Sequence, residues 1–198
     1  DPCRNKGGKF VASPAKARTG KQEGDRKMIR QRPINATDDK PMILEFHCRT
    51  NYASETPWAR RDPYDQYRAK WFSTSQPDEF YAYLVETTQD QRTIAEIWFD
   101  DETGQVVGYL WVVFQDIKDY GISIAEINDL LVTPEYQGRG IGLRMLEYVE
   151  KKARERGADI LRSETGIENI PSRKLHEKFG FQTCRVLFEK KLGEQPTS

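Results

Sequence analysis

Three glycines within five positions come immediately before a strongly helical stretch of the sequence. Gly138, Gly140 and Gly142 lie in "VTPEYQGRGIGLRML", residues 132–146. Glycine is favoured where a backbone turns sharply or lets a ligand approach closely, and the unpaired amides at a helix start attract anions. The spacing therefore predicts a phosphate or pyrophosphate site at the start of this helix, with a tight structural turn as the alternative.

Two widespread phosphate-binding motifs do not fit this stretch. The dinucleotide motif G-x-G-x-x-G needs glycine where the chain has Leu143. It also needs an acidic residue at the end of the next strand, whereas Asp159 is expected at the start of that strand. The nucleotide P-loop needs Gly-Lys-Ser/Thr, but Leu143 and Arg144 follow Gly142. Neither kind of nucleotide site is therefore predicted.

The pattern that remains is Gln137-x-x-Gly140-x-Gly142, which follows a strand ending in "LLVTPEY". It resembles the acetyl-CoA-binding motif of the GNAT superfamily of N-acetyltransferases. A second segment, "NIPSRKLHEKFGF" from Asn169 to Phe181, is similar to the family's N-x-x-A/S-x-x-L-Y-x-K-x-G-F helix. Two linked motifs over about residues 124–182 keep the family's spacing, so the resemblance is specific.

The elements that carry these motifs are expected to form one α/β domain. Helices are predicted over residues 38–52, capped by Asp38 or Asp39, and over residues 64–72, while residues 77–87 fit a helix or a strand. "TIAEIWF" and "VVGYLWVVF" predict an antiparallel hairpin, and "ISIAEINDLLV" predicts a strand inside the sheet. After the glycines come a helix, the strand "ADILRSET", the helix "NIPSRKLHEKFG" and a last strand "FQTCRVLFEKKL". This order predicts a mixed central β-sheet flanked by helices, and the resemblance implies a GNAT-like single domain with a splayed strand and a pyrophosphate-binding loop and helix.

The resemblance implies direct transfer of an acetyl group from acetyl-CoA to a primary amine in a ternary complex, without a metal. Backbone groups of Leu130, Leu131 and Val132 would pair with pantetheine, and an amide near Leu130 would bind the thioester oxygen. Asn169 would contact the pantetheine arm. The pyrophosphate would lie on the main chain of the loop, whose residues are Gln137, Gly138, Arg139, Gly140, Ile141, Gly142 and Leu143.

The amine needs a base, because an alkyl amine has a pKa of about 10 in water and attacks only when neutral. Glu126 is the predicted general base. It lies eleven positions before Gln137, a spacing that resembles that of the base in some histone-acetylating members. Asp129 is the alternative base, and a surface or cross-strand role for Glu126 is the structural alternative.

The departing thiolate takes up a proton, and here the chain departs from the family pattern. Many members use the tyrosine of an "LYEK" string as general acid, whereas this chain has "LHEK", with His176 at that position. A histidine, with an ordinary pKa of about 6.5, is a competent donor but mostly neutral above neutral pH. A lone helix histidine is more often packed or exposed than catalytic, so His176 is a hypothesis for the acid.

The acceptor site is expected between the first two helices and their connection, as the resemblance implies. Aromatic rings there could stack on a cation, although core packing explains most such residues. They are Tyr52, Trp58, Tyr64, Tyr67 and Trp71, with Trp58 predicted to be the exposed member. The sequence leaves open whether the amine belongs to a small molecule or a peptide.

Charge is unevenly distributed along a chain whose formal net charge is zero. Residues 1–30 hold nine Lys and Arg against three Asp and Glu, and the rest of the chain is correspondingly acidic. Residues 1–27 are predicted to be a disordered or appended basic tail, with the acetyltransferase domain over residues 28–198. The acidic domain does not favour nucleic-acid binding, although the basic tail leaves a nucleic-acid-associated protein as one alternative.

The remaining composition narrows the class of protein. Three cysteines, Cys3, Cys48 and Cys184, suggest neither a disulfide framework nor a metal cluster. A cytoplasmic protein without a membrane segment is expected, and the oligomeric state is open, with a homodimer as one option. A catalytically inactive CoA-binding sensor of the same fold is the main alternative to an enzyme.

Overall fold

The computed structural model describes residues 28–55, 59–89 and 92–190 of the chain. Within those ranges, five strands form one sheet in the order β1-β2-β3-β4-β5, antiparallel except for the parallel pair β4–β5. The strands are β1 (Ile29–Pro33), β2 (Thr93–Asp100), β3 (Val106–Ile117), β4 (Ile122–Val132) and β5 (Ile160–Ser163). The helices are α1 (Lys40–Ser54), α2 (Tyr64–Phe72), α3 (Gln76–Thr88), α4 (Ile141–Glu155) and α5 (Ile170–Phe179).

The sheet buries one apolar cluster on each face. On one face α4 packs its stripe of Met145, Leu146 and Val149, none of which is exposed, because apolar residues at helical spacing share one side of the helix. On the other face α1, α2 and α3 cover the sheet through Ile43, Leu84 and their neighbours. We call these the α4 face and the three-helix face.

A β-bulge in β4 decides which of its side chains reach the three-helix face. Trp111 of β3 pairs with Asp129, but the adjacent Val112 pairs with Ile127, so Asn128 is an extra residue that lies exposed. A bulge shifts the in–out alternation of a strand by one residue. Glu126 and Asp129, three positions apart, therefore both face α1, α2 and α3 instead of lying on opposite faces.

The predicted α/β fold with a mixed central sheet is confirmed, and residues 77–87 form a helix. Asp39 is the N-cap of α1, but its carboxylate binds Arg32 of β1 instead of capping the helix. The first strand was missed, because Ile29–Pro33 is a mostly exposed edge strand without apolar alternation.

The predicted last strand is wrong. Residues 181–190 have no regular secondary structure, and Val186, Leu187 and Phe188 are exposed. Strand propensity reflects the fit of a side chain to a paired, half-buried surface, and this segment has no such surface in the part of the chain that the structure describes. The tail over residues 1–27 and the last eight residues lie outside the described ranges.

Candidate active site

The sheet opens between β4 and β5. The two strands pair over only four positions, from Ile124 with Ile160 to Ile127 with Ser163. Beyond that pair β4 continues to Val132, still bonded to β3 on its other side. The backbone of residues 128–132 therefore turns one edge toward the gap, where an extended ligand could pair with it as an added strand.

The glycine loop connects the end of this gap to α4. Gly138 and Gly140 have positive φ angles of 75° and 78°, and Gly140 is the N-cap of α4. The N–H of Arg144 donates to the carbonyl of Gly140 at 3.1 Å. The amides before Arg144 have no intrahelical partner, because they precede that first helical bond. Residues 137–140 are exposed, so the loop offers main-chain N–H groups and the positive end of a helix dipole to an anion.

Gly142 has a packing role rather than a conformational one. A β-carbon at this position would lie 3.0 Å from Cδ2 of Leu175 and 3.8 Å from Cγ2 of Val132. The missing side chain thus lets α4 approach α5 and the end of β4. This contact fixes the loop between the two elements that border the gap.

Two loop side chains fold back on the protein. Gln137 donates from Nε2 to the carbonyl of Val132 at 3.0 Å, and the guanidinium of Arg139 lies 4.9 Å from the centre of the Tyr136 ring. The Gln137 contact closes the loop onto the end of β4. The loop therefore leaves its backbone amides, with Arg139 as the nearby cation, as the groups that an anion could contact.

Glu126 is half-buried on the three-helix face and already has partners. Its Oε2 accepts a hydrogen bond from Nε2 of Gln115 at 2.9 Å, and its Oε1 lies 4.0 Å from the Arg162 guanidinium. Arg162 is also its register partner in β5. Glu126 therefore lies inside the paired part of β4 and β5, before the gap begins.

Asp129 lies beyond the last pair, beside the gap, and is 1 % exposed. Its Oδ2 is 2.9 Å from Nδ1 of His47, which reaches down from α1. Its Oδ1 has no hydrogen-bond partner among the described residues, and neither has the buried hydroxyl of Tyr109 on β3. Burial, with the charge of Asp129 as a smaller cause, raises the pKa of Tyr109 well above its usual range.

His176 lies on the α4 face, at the other side of the gap. Its Nδ1 is 2.8 Å from the carbonyl oxygen of Ser172, which can only accept, so Nδ1 donates. Its Nε2 is 2.9 Å from Oγ of Ser163, the last residue of β5. In the neutral ring, Nε2 therefore accepts the hydroxyl hydrogen of Ser163.

These features can be compared with known proteins. The family model described as the Acetyltransferase (GNAT) family matches residues 53–181, which is more than half of the chain. The chain belongs to the GNAT family. The match spans α2 to α5 and includes both the gap and the glycine loop.

Several curated GNAT relatives are N-acetyltransferases. A candidate ribosomal protein bS18-alanine N-acetyltransferase of Bacillus subtilis is 28 % identical over 107 residues, covering 53 % of this chain and 62 % of its own length. An aminoalkylphosphonate N-acetyltransferase of Salmonella typhimurium is 29 % identical over 89 residues, covering 45 % of this chain and 58 % of its own length. The chain thus spans about three fifths of the length of each of these two relatives.

Solved GNAT structures share the fold at low sequence identity. A predicted acetyltransferase from Clostridium acetobutylicum, crystallised with acetyl-CoA, has a TM-score of 0.60 and 17 % identity over 83 % of this chain and 96 % of that one. A candidate acetyl transferase from Pyrococcus furiosus has a TM-score of 0.59 and 20 % identity over 83 % of this chain and 100 % of that one. At this level of sequence identity, the similarity to these structures shows a shared fold.

Other predicted GNAT site residues have structural partners. Asn169 is the N-cap of α5: its Oδ1 accepts from the Ser172 amide at 3.3 Å, and its Nδ2 donates to Thr165 at 3.0 Å. Leu130 packs into the cluster under α4. The carbonyl of Leu131 would be 2.5 Å from a β-carbon at position 108, so Gly108 allows β3 to lie close to β4.

The aromatic residues predicted near the acceptor pack mainly on one another. Tyr52 lies edge-on to Tyr64 at 5.3 Å and 5.1 Å from Tyr67, and burial raises the pKa of Tyr67 to about 12. Trp71 is buried. Trp58 lies outside the described residues.

The structure adds His47, which sequence reasoning missed; the available signal was a histidine on α1 with Asn51 one turn later.

The described residues contain no group of three or more His, Cys, Asp or Glu arranged to hold a metal ion. None of their helices is both long and apolar enough to cross a bilayer.

Proposed function

We propose that this GNAT protein transfers an acetyl group from acetyl-CoA to a primary amine by direct attack in a ternary complex. The observation that carries the proposal is the continuity of the β4–β5 gap with the glycine loop of α4. The free edge of β4 suits the amide-bearing pantetheine arm of acetyl-CoA, and the glycine loop that follows it suits the pyrophosphate. The proposed acetyltransferase domain is residues 28–198.

The proposed acetyl-CoA contacts come from the backbone. The amides from Gly138 to Leu143 would bind the pyrophosphate, aided by the α4 dipole. Backbone groups of residues 130–132 would pair with the pantetheine arm, and Asn169 lies at the start of α5 on the opposite border. An amide near Leu130 would donate to the thioester oxygen, where negative charge develops during attack.

Proton transfer at the amine is assigned to the three-helix face of β4. Glu126 stays the base predicted from the sequence, and Asp129 stays its alternative. Both face the helices that border the acceptor side, but only Asp129 lies beyond the last β4–β5 pair. The position of the gap therefore favours Asp129 or a group bound to it.

Proton delivery to the departing thiolate is assigned to His176 with Ser163. A protonated His176 would donate from Nε2 to Oγ of Ser163, while the Ser163 hydroxyl passes its own hydrogen to sulfur. Their 2.9 Å contact at the end of β5 supports this route. His176 replaces the tyrosine of the family motif, so a neutral ring would leave the thiolate to depart unaided.

The acceptor is proposed to be a small-molecule or peptide amine. The relatives named above act, by their names, on an alanine of ribosomal protein bS18 and on an aminoalkylphosphonate, and another relative is a D-amino-acid N-acetyltransferase of Saccharomyces cerevisiae. These three chemistries, together with a polyamine, make up the first panel of acceptors.

The test is a calorimetric titration with acetyl-CoA followed by an amine panel in which the release of free CoA thiol is measured. The panel holds an aminoalkylphosphonate, a D-amino acid, an alanine-terminated peptide and spermidine. Micromolar binding with acetylation of one amine supports the enzyme. Binding without transfer to any amine supports the CoA-binding sensor instead, and no binding at millimolar acetyl-CoA refutes both.

A further inference from the structure

A partly buried chain of three polar residues connects α1 to the bulge of β4. Asp129 contacts Nδ1 of His47 at 2.9 Å, and Nε2 of His47 is 3.0 Å from Nδ2 of Asn51. The cluster lies beyond Ile127, the last residue of β4 that pairs with β5. It therefore borders the gap on the three-helix face.

The contacts of His47 define which ring nitrogen is basic. The carboxylate of Asp129 can only accept, so Nδ1 carries the hydrogen, and the amide hydrogen of Asn51 is donated to Nε2. Phe80 stacks on the imidazole with a centroid distance of 3.5 Å and an angle of 6°. Trp71 packs against the ring at 5.9 Å. The ring is thus held in one orientation, with the unprotonated Nε2 directed away from Asp129.

We propose that His47, positioned by Asp129, is the group that accepts the proton of the amine. This inference rests on the proposed acetyl transfer. The ammonium group of the acceptor gives one proton to Nε2 of His47, and the neutral amine attacks the thioester. The new C–N bond forms, the C–S bond breaks, and the second amine proton is taken up by the thiolate through His176. His47 then returns its proton to water, so each turnover releases one proton.

The buried charge of Asp129 is the physical reason for this assignment. An ionised carboxylate that is 1 % exposed is costly unless a cation pairs with it. Among the described residues His47 is its ion-pair partner. The groups that face His47 from other elements are Phe80 and Trp71, which are uncharged, and Asp129, beside which lies the Tyr109 hydroxyl. Among the described groups that pack against the His47 ring, Asp129 is therefore the charged one, at 2.9 Å.

The solvent access of His47 and its contact with Asn51 both suit a residue that accepts a proton. The His47 side chain is 16 % exposed and that of Asp129 only 1 %, so the amine reaches the imidazole before the carboxylate. Asn51 can bind both protonation states, because its amide offers N–H to neutral Nε2 and, after rotation, its oxygen to the imidazolium. Glu126, by contrast, already binds Gln115 and lies near Arg162.

The experiment compares variants in the acetyl-transfer assay after acetyl-CoA binding has been measured. His47→Gln is expected to lower kcat at least about 100-fold, with KM for acetyl-CoA unchanged. Asp129→Asn should lower kcat about tenfold with KM for acetyl-CoA unchanged, because the contact that orients the imidazole is lost. A purely structural role would instead change kcat and KM together. Tyr148→Phe is the matched control, because it removes a 2.8 Å helix-to-strand hydrogen bond to Glu96 on the α4 face.

Three outcomes separate the inference from the function it rests on. If the wild type acetylates an amine and His47→Gln loses turnover as stated, the inference holds. If His47→Gln stays within about threefold of wild type, His47 is not the base, although the acetyltransferase stands. If the wild type neither binds acetyl-CoA nor acetylates any amine, the proposed function and this inference both fail.

A spectroscopic measurement tests the inference even where a variant folds poorly. The chain has two histidines, so untagged His176→Phe protein gives signals from His47 alone. Nitrogen-15 spectra of the neutral ring should show the hydrogen on Nδ1 and an acceptor at Nε2. A hydrogen on Nε2 would overturn the assignment.

Discussion

His47 and His176, the only two histidines of the chain, lie on opposite faces of the sheet where β4 and β5 separate. His47 binds Asp129 of β4 on the three-helix face, and His176 binds Ser163 of β5 on the α4 face. A ligand in the gap would therefore have one imidazole on each side. This placement fits a reaction that removes a proton at one end and adds one at the other.

The two candidate bases on β4 should respond differently to neutralisation. Because Glu126 lies in the paired part of the strands and binds Gln115, we expect Glu126→Gln to keep kcat within about threefold of wild type. Asp129→Asn should lower kcat by about tenfold or more. The measurement is kcat against pH for both variants. If only Glu126→Gln abolished the fall of kcat at low pH, Glu126 would be the general base and His47 would not.

The role of His176 is testable with the residue that the family motif carries at this position. His176→Phe is expected to lower kcat about tenfold and to flatten the basic limb of the pH profile, since no group remains to protonate the thiolate. His176→Tyr should recover most of the loss. Ser163→Ala should resemble His176→Phe if the proton passes through the hydroxyl. Full activity of His176→Phe would exclude an acid at this position.

The anion site should be sensitive to a charge placed beside it. Arg139→Glu introduces a carboxylate next to the loop amides, so CoA should bind roughly fivefold more weakly, about 1 kcal/mol. Lys151→Glu makes the same charge change on the exposed last turns of α4 and should bind like wild type. Calorimetry at low and high salt measures both, and the difference should shrink as salt screens the charge. Equal affinities at low salt would argue against a phosphate at this loop.

Gly166 determines how the loop between β5 and α5 sits on α1. A β-carbon there would overlap the carbonyl of Ser54, whose carbon would be 2.8 Å away. Backbone atoms cannot yield easily, so Gly166→Ala should reduce the free energy of unfolding by about 1–3 kcal/mol. Glu164→Ala in the same loop is the exposed control and should stay within about 0.5 kcal/mol. Denaturant titration of both variants measures this difference. Equal midpoints of unfolding for Gly166→Ala and Glu164→Ala would contradict the contact between Gly166 and Ser54.

The contact between β1 and α1 should make stability depend on pH. Asp39 accepts two hydrogen bonds from Arg32, at 2.6 and 2.8 Å, and these hold the pKa of Asp39 below its ordinary value of 3.8. The stabilisation is therefore present above the ordinary pKa and is lost as the pH falls through the lowered one. Arg32→Met should cost about 1 kcal/mol at pH 7, and this cost should shrink in acid as the pH falls through the lowered pKa of Asp39. The free energy of unfolding of wild type and variant, measured from pH 7 into the acid range, checks this, and a difference that does not change with pH would refute it.

The sequence was informative where local chemistry is sufficient. The glycine spacing before α4 predicts an anion site, because positive φ angles and free helix amides are properties of a few adjacent residues. The hairpin β2–β3 and the helices α4 and α5 followed in the same way from apolar periodicity. The motif around Gly140 and the helix from Asn169 likewise indicated the family, which the comparison confirmed.

The sequence was insufficient where a partner distant along the chain decides. Residues 181–190 have strand-like composition, yet nothing in the described part of the chain pairs with them. Conversely, Ile29–Pro33 has little strand character and forms an edge strand, because β2 offers it five partners.

The sequence by itself determined the type of fold, the family and the loop that could bind pyrophosphate, since these depend on neighbouring residues. Only the tertiary structure decided which carboxylate borders the gap, because one extra residue at Asn128 turns Asp129 toward α1. That same rotation brings Asp129 to His47, which lies 82 positions away along the chain. No local sequence pattern predicts this contact, because it depends on how α1 packs across the bulged strand β4.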